Sequence, residues 1–143
     1  MSRRLLLDNS AWARIFDPSI PDGRAKEISE EFGKERIVAC LPFMLEAGYS
    51  ALSANDHDVI FDELASLDFL PVNLEVERRA LDVQVQLARV GHHRVAPVDL
   101  LIAALADCHR VGVLHYDSDY DLLVENTGLQ FHSEWLMPRG SLD

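Results

Sequence analysis

Four acidic residues far apart in the chain sit where carboxylates can do chemistry: Asp8, Glu46, Asp99 and Asp117. Asp8 follows Leu5-Leu6-Leu7, and Asp117 follows Val113-Leu114-His115-Tyr116. Both apolar runs read as buried parallel strands, which places the two carboxylates at strand C-terminal ends, the edge where open α/β sheets gather their sites. Glu46 and Asp99 each lie near the start of a strongly apolar helical pattern. Carboxylates from four segments on one edge repel one another unless a cation sits between them. Hard oxygen donors of this kind suit Mg²⁺ or Mn²⁺.

Each acid also has a plainer explanation. Asp8 and Ser10 are residue types that cap helix N-termini. Asp99, two residues after Pro97, is favourable in a first helical turn through the macrodipole. Glu46, between Leu45 and Ala47, fits this kind of account less well, because burying an unpaired carboxylate is costly. Asp117-Ser118-Asp119-Tyr120-Asp121 packs three carboxylates into one short stretch; Asp121 reads as a solvated turn residue, Asp117 as a functional one. Four independent caps aimed at one sheet edge make a poorer account than one shared site. No Ser-His-Asp or Cys-His constellation competes for a nucleophile's role, and His92-His93 makes a weak metal-ligand pair.

The elements that must position these residues alternate between strand and helix signals. Strands are expected at about Arg4 to Leu7, Ile37 to Ala39, Phe69 to Val72 and Val113 to Tyr116, with a last edge strand at Leu129 to His132. A short helix from Ser10 to about Ile15 ends at Asp17-Pro18. Helices follow over Asp22 to Phe32 (closed by Gly33), Pro42 to Ser53, Asp56 to Leu67 and Glu75 to Val90. Pro97 to Val111 reads as a helix closed by Gly112, and Leu100 to Ala106 is apolar nearly all round, the mark of a central helix. A short helix spans Asp119 to Glu125. This alternation predicts an α/β fold with a mostly parallel sheet and right-handed crossovers.

The 143 residues suit one domain. No apolar run approaches the roughly 20 residues that span a bilayer, and no signal peptide opens the chain, so a cytoplasmic protein is expected. Cys40 and Cys108 read as buried free thiols. The net charge of −11 argues against a nucleic-acid partner. Against that, bound cations invert the sign of an acidic site, and Arg3-Arg4, Arg78-Arg79, Arg89 and His92-His93-Arg94 are candidate phosphate contacts. Trp12, Phe16, Trp135 and the apolar positions of the Asp22 to Phe32 and Pro42 to Ser53 helices are candidates for a partner surface as well as for the core.

Taken together, Leu7-Asp8-Asn9-Ser10, Glu46, Pro97-Val98-Asp99-Leu100-Leu101-Ile102-Ala103-Ala104 and Leu114-His115-Tyr116-Asp117-Ser118-Asp119-Tyr120 resemble the PIN-domain ribonucleases, and within them the VapC toxins of bacterial toxin–antitoxin pairs. The resemblance covers nearly the whole chain, and the order and spacing of the motifs carry it. It implies a single PIN-like domain over residues 1–143, a three-layer α/β/α sandwich. It implies a metal-dependent endoribonuclease whose quartet Asp8, Glu46, Asp99 and Asp117 surrounds Mg²⁺, or Mn²⁺ in its place, with Ser10 and Asp119 as supporting residues. Asp8, Asp99 and Asp117 are expected to bind the ion most directly, with Glu46 orienting the attacking water. Ser118 stands where a basic residue is frequent, which bears on substrate contact rather than on the metal site. The implied partners are an RNA substrate, a second copy in a homodimer, and a VapB-like antitoxin whose C-terminal segment presents an Arg to the acidic pocket.

Two rivals stand beside this reading. A PIN enzyme of RNA maturation is the nearer one, and a length close to the minimum for the fold favours the toxin. The other is a phospho-acceptor receiver module, which also gathers carboxylates at that edge but holds the phosphoryl group with a Lys from a late strand end. This chain's lysines, Lys26 and Lys34, both fall early.

Overall fold

Leu5–Leu7 forms the first strand, β1, and all three side chains are buried, as a strand covered on both faces requires. The computed structural model describes residues 3–92 and 94–142. In chain order β1 is followed by α1 (Asn9–Trp12), α2 (Asp22–Gly33), β2 (Ile37–Cys40), α3 (Leu41–Tyr49), α4 (Ala54–Leu64) and β3 (Asp68–Leu70). Then come α5 (Leu74–Arg89), α6 (Pro97–His109), β4 (Gly112–His115), α7 (Asp119–Asn126) and β5 (Ser133–Trp135). The sheet has the order β3-β2-β1-β4-β5 and every pairing is parallel, so the expected mostly parallel sheet is parallel throughout. Right-handed crossovers then place helices on both faces, giving three α/β/α layers.

This order turns back between β1 and β4, and the ends of those two strands open into a crevice at the topological switch point. Leu7 pairs with Leu114, so Asp8 and the turn after His115 leave the sheet side by side. The Asp8 amide donates to Leu114 O at 3.1 Å. A receiver module has the order 2-1-3-4-5, and this sheet does not.

Burial explains the central elements. Every residue from Ile102 to Ala106 on α6 is fully buried, and burying each Leu or Ile side chain contributes about 1.5–3 kcal/mol. Pro97 occupies the first turn of α6, where a missing N–H costs nothing. The helix ends at His109 with Arg110 in the left-handed region (φ 57°), not at Val111. Gly112, expected to close α6, instead begins β4 because the backbone there is tightly packed. A Cβ at Gly112 would lie 2.8 Å from Leu5 Cδ2 and 2.9 Å from His132 O.

Several other boundaries differ from the sequence expectation. Helix α3 stops at Tyr49, and Ser53 caps α4 by accepting from the Asp56 amide at 3.0 Å. β3 is displaced slightly upstream, to Asp68–Leu70. The last strand is not Leu129 to His132 but Ser133–Trp135, paired with Val113 to His115. Leu129 is buried from a loop. Helix α3 is also less buried than its composition suggests, since Leu41, Leu45 and Tyr49 are exposed.

Candidate metal centre

The carboxylates of Asp99, Asp117 and Asp119 each offer an oxygen, and the three lie within 4.8 Å of one another. Three elements bring them there: Asp99 from the first turn of α6, Asp117 from the turn after β4, and Asp119 from the start of α7. The Asp119 amide donates to Asp117 Oδ1 at 2.9 Å, which tightens the turn. None of these acids, nor Asp8 or Glu46, forms an ion pair among the described residues.

Asp8 is a cap and part of the centre at once. Its Oδ2 accepts from the Ser10 amide at 3.0 Å and the Ser10 hydroxyl at 2.5 Å. Its Oδ1 accepts from the Tyr120 hydroxyl at 2.7 Å, and that hydroxyl also lies 3.4 Å from Asp99 Oδ1. Ser10 in turn accepts from the Tyr116 amide at 2.8 Å, tying α1 to the end of β4. Glu46, half-buried on α3, feels the charges of Asp8 and Asp117.

The electrostatics record the crowding. Asp99 is pushed up to about 8, first by burial and then by the charges of Asp8, Asp117 and Asp119. Glu46 is raised by burial, then by Asp8 and Asp117. Asp119 is raised by burial, then by Asp117. A cluster that must take up a proton to lower its own charge is one a divalent cation would relieve. The all-oxygen donor set fits a hard ion.

Sequence reasoning gave no role to Tyr120 or to a second polar chain behind Asp117. The Asp117 amide donates to His115 Nδ1 at 3.1 Å, so the ring proton is on Nε2 and is donated to Ser133 Oγ at 2.7 Å. Ser133 donates to Asp121 Oδ1 at 2.6 Å, and Trp135 Nε1 donates to Asp121 Oδ2 at 2.8 Å. Asp121 is therefore not a solvated turn residue but the anchor that fixes β5 and, through His115, the backbone of Asp117. Burial holds the His115 ring down to about 4. Tyr120 had a readable signal: it falls three residues after Asp117 in a helix start, so its ring turns back toward the strand end.

Folding sorts the basic clusters. Arg4 pairs with Asp68 at 2.6 Å, at the opposite edge of the sheet. Arg79 is held by Asp107 and Glu75, toward the other end of α6 from Asp99. Arg14 is committed near the centre, donating to Ser10 O at 2.9 Å with its guanidinium 4.8 Å from the Tyr116 ring centroid. Arg94 and His92 lie beside Asp119; His93 falls outside the described residues. Cys40 is buried, its thiol pushed up to about 12 by burial, and Cys108 is partly buried. No helix among the described residues is long and apolar enough to cross a membrane.

Comparison with known proteins identifies the family and the fold. Residues 5–125 match the PIN domain family. Ribonuclease VapC18 of Mycobacterium tuberculosis is 39% identical over 95% of this chain and 97% of its own length. Ribonuclease VapC51 of the same organism is 34% identical over the full length of both. Among solved structures, DNA-bound VapBC from Salmonella typhimurium superposes with a TM-score of 0.74 at 17% identity, covering 95% of this chain and all of that one. VapBC-5 from Mycobacterium tuberculosis gives 0.65 at 22% identity, covering 92% and 99%. By its sequence from end to end and by its fold, this chain belongs to the PIN-domain family and groups with the VapC ribonucleases.

Proposed function

We propose that this chain is a metal-dependent endoribonuclease, the toxin of a type II toxin–antitoxin pair, acting in the cytoplasm as a single PIN-like domain. The carrying observation is the unpaired cluster Asp99, Asp117 and Asp119 at the β1/β4 switch point, in a chain whose full-length relatives are named ribonucleases. Asp99, Asp117 and Asp119 would hold Mg²⁺, with Mn²⁺ as a substitute. A bound ion supplies charge to offset the negative charge that builds on phosphate oxygens during hydrolysis.

The protein's own groups do the rest. Asp8 completes the anionic wall, and Ser10 and Tyr120 fix its two oxygens. Glu46 approaches from α3 and lies outside the three-acid cluster, which leaves it to orient the attacking water. His115 holds the Asp117 backbone in place. The raised value of Asp99 supports a site that accepts a cation.

Two protein partners belong to this reading: a second copy in a homodimer and a VapB-like antitoxin. Exposed apolar side chains at Phe16, Leu45, Tyr49 and Leu52 supply area for such contacts. An acidic centre whose carboxylates form no ion pair among the described residues favours an antitoxin segment that brings an Arg. Incubating purified protein with total RNA tests the activity. Cleavage with Mg²⁺ or Mn²⁺ and none in EDTA is expected; cleavage undiminished in EDTA would reject the metal mechanism.

A further inference from the structure

Beside the carboxylate cluster lies a cavity of about 350 Å³ lined by Gly91, His92, Arg94, Val95, Asp119 and Leu122. Asp119, an acid of the candidate metal centre, lines it together with Arg94 and His92. Its shape follows from the end of α5. Gly91 adopts φ +83°, open to glycine but strained for other residues, and the His92 amide donates to Leu87 O at 2.8 Å. Before Pro97 starts α6, Arg94 is exposed and Val95 is buried.

In a chain of net charge −11, most arginines near an acid are paired, as Arg4, Arg24, Arg36 and Arg79 are. Arg94 shares a cavity with Asp119 and makes no ion pair with it. A guanidinium and an imidazole that line one cavity, and form no ion pair among the described residues, suit an anion of tetrahedral oxygens. Asp119, being part of the acidic cluster, is where the reacting phosphate would approach.

We propose that Arg94, assisted by His92, forms a subsite for a backbone phosphate of single-stranded RNA next to the one being cut. The inference rests on the ribonuclease reading and adds a positioning residue to it. It also eases the charge conflict: the molecule is acidic as a whole, yet an arginine lines a cavity that adjoins its centre. Arg78, exposed on α5 near Arg79 and away from this cavity, would make no such contact.

The test compares wild type with Arg94→Ala, Arg94→Lys and Arg78→Ala. Binding of a short fluorescein-labelled single-stranded RNA of mixed sequence is followed by anisotropy in EDTA over a range of salt, and cleavage is followed in Mn²⁺. Arg94→Ala should raise the dissociation constant and KM about three- to fivefold, as fits one exposed charge-assisted contact. It should leave kcat unchanged and flatten the slope of log affinity against log salt by about 0.7. Arg94→Lys should recover part of the loss, and Arg78→Ala should behave as wild type. If Arg94→Ala matches wild type in affinity and slope, or Arg78→Ala loses as much as Arg94→Ala, the subsite is refuted while the ribonuclease reading stands. If wild type neither binds nor cleaves RNA, both fall.

Discussion

Replacing Asp99 with Asn removes one charge from the cluster without changing its shape. Asp99 lies within 4.8 Å of oxygens of Asp117 and Asp119. Two unit charges at that distance repel by about 3 kcal/mol at an effective dielectric of about 20. The metal-free site responds by keeping Asp99 protonated up to about 8, where an ordinary aspartate titrates at 3.8. The folded state holds a proton that the unfolded chain releases, so stability is full below 3.8 and is lost as pH rises toward 8. At pH 7 this amounts to about 4 kcal/mol at most. Asn needs no proton and still presents a donor to Asp117. In EDTA at pH 7, Asp99→Asn should therefore be more stable by about 2–4 kcal/mol, roughly 6–12 °C in Tm. The advantage should shrink toward pH 5. Mn²⁺ should narrow or close this gap, because an ion at a hundredfold its dissociation constant stabilises wild type by about 2.7 kcal/mol and the variant much less. Melting curves in EDTA and in Mn²⁺ measure all of this. A variant that is less stable in EDTA yet gains as much from Mn²⁺ would reduce Asp99 to an ordinary first-turn residue and refute the reasoning.

Tyr120→Phe deletes the donor to Asp8 Oδ1 inside the core, which should cost about 1.5–3 kcal/mol and lower cleavage with it; an unchanged melting temperature would mean that the bond contributes nothing. His115 should stay neutral well below its ordinary 6.5, with an NMR titration midpoint near 4. Because its folded value is depressed, its contribution to stability is present above pH 6.5 and lost as pH falls toward 4; a midpoint near 6.5 would show that the ring is not buried away from water.

The strand ends and the buried helix were legible because burial writes itself as composition. Leu5-Leu6-Leu7 before Asp8, and the run Leu100 to Ala106 after Asp99, leave little choice of environment. Other features depend on partners that are distant in sequence. β5 is registered by Ser133 and Trp135 meeting Asp121, a polar arrangement that hydrophobic alternation does not report. Gly112 reads as a helix stop until Leu5 and His132 are seen pressing on it. The exposed face of α3 has the same composition as a buried one. The basic clusters were equivalent as sequence, and only folding separated Arg4 and Arg79, committed elsewhere, from Arg94 beside Asp119.

The most direct test of the central claim is to locate the ion: an anomalous difference map from crystals soaked in Mn²⁺, with Asp117→Asn soaked in parallel. A peak about 2.1 Å from oxygens of Asp99, Asp117 and Asp119 is predicted, lost or much weakened in the variant. Saturating Mn²⁺ with no peak at this cluster, in a protein that still cleaves RNA, would contradict it.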